Sequence, residues 1–457
     1  MKKRKASITD FVILSACILF YLIWFVADGV TFSNDSLGYI NAVPSREPLY
    51  PTFLALFRFC FPADFYLKAA VFCQCILAAF ATYRLTVVLK RKLELSSFSA
   101  ALILGVQFAV VLLCRLVATR QATYCNEICS EGLSIPLFSL FMTELLCYIW
   151  QQKTHHLFWC AFYAVCLICT RKQMYIVIPV MAAVFILQFL AHNFSLKKTV
   201  CVLAVAGITV FASLGADLLY NYCMRGEAVR HTTDSSAAVI TLVYSSGIEE
   251  ADYFEEDGIR ELYRQIMTTV EQEGYNYKFA GGNWIERYIH YSDHYDLISY
   301  GVLNDMFYQY IDSELGLSGY AKEQAFDELN HVFIKTLLPA RWKKFLQVSA
   351  DNMLAGLCNT VSKASTKLVW YNILFGIGYI GLMIFMAVRK KKELFWLSLT
   401  VLLSVFINVA AVGVMIFAQT RYMIYNMPFV YIAMYLMLRE IYLTWKSKKH
   451  KESICEK

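Results

Sequence analysis

The chain has 457 residues, 58% of them hydrophobic and only 17% charged, with a mean hydropathy of +0.48. Soluble globular proteins are about 25% charged, and here the apolar residues come in blocks of membrane-spanning length. That pattern excludes a soluble enzyme, a disordered chain and a disulfide-rich secreted scaffold. The net charge of +7 does not signal nucleic acid, because lysine and arginine sit in short runs between apolar blocks, where they set membrane topology.

A bilayer core takes about 20 apolar residues per helix. On that rule ten spans are predicted, near 8–27, 66–89, 98–118, 132–150, 157–170, 173–191, 199–220, 368–388, 394–417 and 423–443. The first follows Met-Lys-Lys-Arg-Lys and has no small-x-small site after it, so it is expected to stay as an anchor. The basic runs Lys2–Lys5, Lys90–Lys92, Lys153, Lys197–Lys198, Arg389–Lys392 and Lys446–Lys451 then all fall on one side. The positive-inside rule makes that side cytoplasmic, with both termini. Spans 157–170 and 173–191 are kept apart because a single helix would put Arg171 and Lys172 at mid-membrane, which is costly.

The expected class is therefore an all-α polytopic membrane protein of about ten transmembrane helices. An N-terminal membrane module, 1–220, carries about seven spans and a first outer loop at 28–65. An extracytoplasmic domain, 221–367, separates it from a C-terminal module, 368–457, with about three spans and a basic tail. The domain is expected to be mostly helical, from spacings such as Ile259-Leu262-Tyr263-Ile266 and Phe326-Leu329-Val332-Phe333. There is no phosphate-binding GxxxxGK[ST] loop, so nothing points to nucleotide hydrolysis. Most of the fifteen cysteines lie in apolar blocks and act as small hydrophobes. Cys223 and Cys358 stand near the two ends of the polar segment, and a disulfide between them is one option left open.

The polar residues that topology does not explain cluster in the outer loops. The first loop reads Ser33-Asn34-Asp35-Ser36-Leu37-Gly38-Tyr39, then Arg46-Glu47-Pro48-Leu49-Tyr50-Pro51. A carboxylate at the membrane boundary, such as Asp35, can meet both a lipid headgroup and a soluble acceptor, and partial desolvation favours it as a base. Asn34 or Asp35 capping a short helix explains the same residues. The second outer loop carries Arg120, Glu127 and Glu131. On one continuous helix the two glutamates would share a face, and with Asp35 they could bind a hard divalent cation. As acids at a helix start they equally suit the macrodipole. The cations Arg46, Arg171, Lys172 and Arg421 break the positive-inside pattern; arginine at such sites grips phosphate bidentately, and snorkelling is the alternative. His290 and His294, four apart, have metal-capable spacing but lack the glutamate of a zinc helix, so a solvated amphipathic face is expected. The nearest mid-span charges are Arg84, Arg115, Glu144 and Asp217.

These residues resemble the GT-C superfamily of integral-membrane glycosyltransferases that use polyprenyl-phosphate-linked sugars, of the protein-mannosyltransferase and aminoarabinose-transferase type. Asn34-Asp35-Ser36 with Tyr39, and Arg46-Glu47-Pro48-Leu49-Tyr50-Pro51, are similar to its first outer loop. Glu131-Gly132-Leu133-Ser134-Ile135-Pro136-Leu137 is similar to the acidic start of its fourth helix. Cys169-Thr170-Arg171-Lys172-Gln173 resembles an arginine break between short helices, and Arg421-Tyr422-Met423 with Met427-Pro428 resembles an Arg-Tyr motif opening a late span. The chain departs from the family in having Asp35-Ser36 where an acidic pair is common, and Arg46-Glu47-Pro48 in place of Arg-Pro-Pro. Its large outer segment also precedes the last three spans instead of ending the chain.

The resemblance implies an inverting transfer of a hexosyl or pentosyl group to a glycan, lipid or protein acceptor on the outer face of the cell membrane. Asp35 would be catalytic. Tyr39, Arg46, Tyr50, Glu131, Arg171, Lys172, Arg421 and Tyr422 would bind substrate, with Tyr39 and Tyr50 as candidates for sugar stacking; the aromatic belt of a membrane interface explains these two tyrosines equally well. Polyprenyl phosphate is a good leaving group, so no cofactor is required, although a divalent metal could assist. The alternatives are a transporter or flippase of a lipid-linked saccharide and a glycan polymerase or ligase. No nucleic-acid partner is expected.

Overall fold

The computed structural model describes residues 8–117, 121–192, 196–232 and 237–455, and side chains for these except 192, 196–199 and 448–455. The runs Lys2–Lys5 and Lys197–Lys198, the residues from 448 in the basic tail, and Arg120 thus lie outside the described residues or side chains.

Helix α1 spans Ile8–Asp28, followed by the short α2 (Ser36–Ile40), α3 (Leu49–Cys60), α4 (Tyr66–Lys92) and α5 (Ser97–Val117). Next come α6 (Glu131–Gln151), α7 (Thr154–Ile168), α8 (Val177–His192) and α9 (Leu196–Arg225). A helical region then runs through α10 (Ala237–Ser245), α11 (Asp257–Gln272), α12 (Trp284–Ile298), α13 (Asp305–Tyr310) and the 43-residue α14 (Gly319–Val361). The chain ends in α15 (Val369–Val388), α16 (Lys392–Met415), the one-turn α17 (Thr420–Met423) and α18 (Met427–Cys455). Among the described residues, eight helices are long and apolar enough to cross a membrane. The ten predicted spans each coincide with a helix; α7 is apolar but short, and α18 carries charge in its second half. The predicted break at Arg171 is present: α7 ends at Ile168 and a 3₁₀ turn, Lys172–Ile176, precedes α8.

The bundle has two chemically distinct ends. At one, Lys90 and Arg91 pair with Asp10 at 3.1 and 2.7 Å, Lys92 with Glu393 at 3.5 Å, and Lys391 with Glu440 at 2.7 Å. At the other, Arg115 pairs with Asp28 at 2.9 Å and lies over the Trp24 ring at 4.0 Å. Between them, Arg84 binds Glu144 at 2.9 Å and His156 Nδ1 lies 2.5 Å from its other oxygen. Asp217 pairs with His231 at 2.9 Å, so each of the four near-span charges has a partner.

The region from α10 to α14 packs around its own core of Tyr244, Tyr263, Phe254, Phe307 and Phe333. Local chemistry sets its helices: Asn283 accepts from the amides of Ile285 and Glu286 at 3.0 Å, while Glu286 returns to the Asn283 amide, a reciprocal cap that starts α12. Helix α14 begins in this region and ends inside the bundle, where it packs on α16. Cys223 and Cys358 are both free thiols, one exposed and the other buried, so no disulfide closes the segment. The imidazoles of His290 and His294 lie 4.2 Å apart and tilted by 40°, with His290 Nδ1 on the Tyr244 hydroxyl at 3.0 Å and His294 Nδ1 on the His290 carbonyl at 2.7 Å. Those nitrogens are used within the protein, not on a metal.

Candidate active site: a chain of guanidinium and carboxylate groups

The first loop is fixed from both sides before any charge is placed. Thr31–Phe32 pairs in parallel with Glu127–Ile128, so the chain after α1 lies against the chain before α6. Glu127 and Glu131 therefore do not share a helix face: Glu127 is in this strand pair and Glu131 opens α6. The Ser36 hydroxyl donates to the Ile128 carbonyl at 2.7 Å and accepts from the Ser33 amide at 2.6 Å. That holds Asp35 at the start of α2, where its carboxylate makes no cap bond and is left for other partners. Asn126 donates to the carbonyls of Trp24 at 3.0 Å and Gly29 at 2.8 Å, tying the second loop to the end of α1.

A buried polar relay supports this arrangement. Tyr39 donates to Ser130 Oγ at 2.9 Å, Tyr50 donates to Gln74 Oε1 at 2.7 Å, and Gln74 Nε2 donates to the Cys125 carbonyl at 2.9 Å. A Cβ on Gly132 would stand 2.5 Å from the Gln74 amide, so glycine there makes room for the relay. Tyr39 and Tyr50 meet edge-on at 4.9 Å and are 4% and 0% exposed. They are interior supports, not the candidate sugar-stacking surfaces; burial pushes the Tyr39 hydroxyl well above its ordinary range.

The two late motifs dock onto this frame. The Leu49 amide donates to the Cys169 carbonyl at 2.8 Å and the Lys172 amide to Glu47 Oε1 at 2.7 Å, which seats the α7–α8 break on the first loop. Gln173 Nε2 donates to Asn408 Oδ1 and to the Tyr422 carbonyl, both at 2.8 Å, fixing α17 beside it. Lys172 Nζ lies 3.5 Å from the Thr232 carbonyl.

Five charged side chains then form one line, Arg46–Asp35–Arg421–Glu131–Arg171. Arg46 Nη2 is 3.0 Å from Asp35 Oδ1, and Arg421 Nη2 is 3.3 Å from Asp35 Oδ2. The other side of Arg421 binds Glu131 through Nε, and Arg171 Nη1 is 2.8 Å from the same Glu131 oxygen. Arg171 also donates to Ser130 Oγ at 3.0 Å and lies over the Tyr422 ring at 5.4 Å. Three guanidiniums against two carboxylates leave one net positive charge. Glu131 beside Arg421 outweighs burial and raises the pKa of that guanidinium; burial lowers Arg171, yet Glu131 carries it above the ordinary value as well. Both stay charged.

Exposure divides the roles. The Glu131 side chain is 0% exposed and Asp35 is 30% exposed. Glu131, expected from the sequence to bind substrate, is buried between two arginines. Asp35 is the carboxylate open to a ligand. The structure brings together Asp35, Arg46, Glu131, Arg171, Arg421 and Tyr422; it sets Tyr39 and Tyr50 behind them and Lys172 to one side. Ser130, which joins Tyr39, Arg171 and Glu131, and Gln74 were missed by the sequence reading. Their one sequence signal is that Ser130 directly precedes an acidic helix start.

Among the described residues, the group with metal-ligand geometry is Glu144, Cys147 and His156, whose ligand atoms lie within 4.8 Å of one another. It lies thirteen residues along α6 from Glu131, about 20 Å at the helical rise, and is no part of this site. A further cavity of about 320 Å³ opens between α14, α15, α16 and α18, lined by apolar groups such as Leu354, Leu357, Phe375 and Phe406. Helix α14, which forms one wall, also carries Asn359, whose Nδ2 donates to the Ala418 carbonyl three residues before Arg421.

No protein-family model and no curated protein matches the chain. Among solved structures it is similar to the archaeal oligosaccharyltransferase AglB from Archaeoglobus fulgidus, in complex with an inhibitory peptide and a dolichol-phosphate. The TM-score is 0.41 and the identity 11%, over 97% of this chain and 52% of that one. The chain thus spans about half the length of that relative, and so loose a likeness carries no chemical conclusion.

Proposed function

We propose that this protein is a membrane glycosyltransferase that moves a sugar from a polyprenyl-phosphate donor to a hydroxyl of a cell-envelope acceptor, with inversion. One observation carries the reading: Arg421 holds Asp35 with one side of its guanidinium and Glu131 with the other. The resemblance of the four motifs to the GT-C superfamily supports it. So does the position of the site, at the opposite end of the bundle from the basic runs Lys90–Lys92 and Arg389–Lys392, which argues for an extracytoplasmic active site and a cytoplasmic N terminus.

In this reading the donor phosphate competes with Asp35 for Arg421, and Arg46 and Arg171 add to the positive field. The displaced Asp35 then has a free oxygen. It takes the proton of the acceptor hydroxyl while that oxygen attacks the anomeric carbon. The bond from the anomeric carbon to the phosphate oxygen breaks with its electron pair going to the phosphate, whose new charge Arg421 stabilises. The apolar cavity between α14, α15, α16 and α18 receives the isoprenoid chain. No step requires a metal, although Asp35 could share one with the phosphate.

The test is transfer by purified protein in proteoliposomes from a radiolabelled polyprenyl-phosphate hexose to an isolated cell-envelope glycan fraction. Labelled product is expected from the wild type and loss of about a hundredfold or more from Asp35→Asn. Wild-type activity in Asp35→Asn overturns the catalytic assignment. Movement of the intact lipid-linked saccharide across the bilayer, without cleavage, would favour a flippase.

A further inference from the structure

Helices α6 and α7 meet in a buried cluster for which glycosyl transfer has no use. Glu144 and Cys147 stand one turn apart on one face of α6, and His156 comes from the first turn of α7. A carboxylate oxygen, a thiol sulfur and an imidazole nitrogen thereby lie within 4.8 Å of one another, all on buried residues. Ion pairing explains two of the three. Arg84 Nη2 holds one Glu144 oxygen at 2.9 Å, and His156 Nδ1 is 2.5 Å from the other. Cys147 takes no part in this: it is 1% exposed, and its thiol has no hydrogen-bond partner among the described residues. Buried cysteines nearby do donate, Cys114 to the Val110 carbonyl at 3.2 Å and Cys160 to the Phe141 carbonyl at 3.9 Å.

We propose that Glu144, Cys147 and His156 bind one zinc ion that clips α6 to α7. The donor set decides the class of metal. A thiol and an imidazole with one carboxylate suit zinc, whereas magnesium and calcium take oxygen ligands. Zinc bonds of about 2.0–2.3 Å in a tetrahedron set neighbouring ligand atoms roughly 3.3–3.8 Å apart. The sulfur needs only to close in slightly, and the carboxylate–imidazole contact to open. On binding, the thiol gives its proton to water and the imidazole ligates through Nδ1 as the neutral base. Arg84 stays on the second Glu144 oxygen, where it orients the carboxylate from outside the metal's own shell. Its side chain is 34% exposed, so water can reach the fourth position. One turn beyond Cys147, Trp150 Nε1 donates to the carbonyl of Glu393, the residue that pairs with Lys92. The cluster thus lies toward the basic end of the bundle, away from Asp35 and Arg421. That end is cytoplasmic by the positive-inside rule, and thiols stay reduced there. The metal site is independent of the glycosyl-transfer reading.

The experiment uses the full-length protein in detergent, stripped with EDTA, dialysed and titrated with zinc chloride against a chromophoric chelator. Cys147→Ser and His156→Gln are treated in parallel. The wild type is expected to take up one zinc per chain with a Kd of about 1 μM or tighter, and its unfolding midpoint should rise with zinc. Each variant should bind about tenfold or more weakly and lose that rise, and magnesium should produce neither effect. Cobalt added to the wild type should give the near-ultraviolet charge-transfer band of a cobalt–thiolate bond, a readout that needs no variant. Zinc bound as tightly by Cys147→Ser and His156→Gln as by the wild type lies elsewhere and overturns the proposal. So does a wild type that binds no zinc at micromolar concentration, or whose cobalt form lacks the thiolate band.

Discussion

Asp35 and Arg421 are separated by 386 positions in the chain, and their side chains meet at 3.3 Å. The contact closes the first loop against the last quarter of the sequence. In the proposed mechanism a donor phosphate competes with Asp35 for the Nη2 edge of Arg421, while Nε stays on Glu131. On the proposed function, such a site would keep Asp35 occupied until the donor arrives.

Arg421 serves two anions through two edges of one planar group, Nη2 on Asp35 and Nε on Glu131. Lysine offers a single point charge and cannot span both. Arg421→Lys is therefore expected to behave almost as Arg421→Ala, with donor KM raised about tenfold or more in a steady-state assay. Near-normal kinetics in the lysine variant would mean that only charge is needed there.

Glu131 is the buried centre of the charge chain, and removing it leaves Arg171 and Arg421 without their shared anion. Breaking a buried ion pair on one side costs about 3–5 kcal/mol. Glu131→Ala should lower the thermal unfolding midpoint in detergent strongly, whereas Asp35→Asn, at a more open position, should leave it nearly unchanged.

Gly38 is a more selective probe. A Cβ there would stand 2.9 Å from Arg46 Nε, the end of a flexible side chain, so the cheapest response is for Arg46 to move off Asp35. Gly38→Ala should keep the folded protein while reducing transfer about tenfold to a hundredfold, the scale expected when a group near the reacting atoms is displaced by about an ångström. Parallel measurement of unfolding midpoint and kcat/KM checks it.

The apolar cavity makes a prediction about the lipid. Gly376 lines it, and a Cβ there meets nothing within 4 Å. Gly376→Leu should fill the space and weaken long-chain polyprenyl-phosphate donors about tenfold or more, while short-chain analogues are used as before. Equal effects on both chain lengths would place the isoprenoid elsewhere.

How far the sequence revealed this depended on the range of the interaction. The spans were legible because a bilayer demands long apolar blocks: the expected 66–89 is the helix Tyr66–Lys92, and the break at Arg171 follows from the cost of two cations at mid-membrane. Glu127 was misplaced because its strand is two residues long and exists only by pairing with Thr31–Phe32, a contact with no local signature. Tyr39 and Tyr50 looked like surface aromatics of an interface, and only the relay through Ser130 and Gln74 explains their burial.

The competition between Asp35 and the donor phosphate for Arg421 is tested most directly by the affinity of Asp35→Asn for polyprenyl phosphate, measured by fluorescence titration beside the wild type. Removing the competing carboxylate should leave the lipid phosphate bound as tightly as in the wild type or more tightly, by up to about tenfold, while sugar transfer is lost. Clearly weaker binding by Asp35→Asn, or transfer at the wild-type rate, would contradict the account.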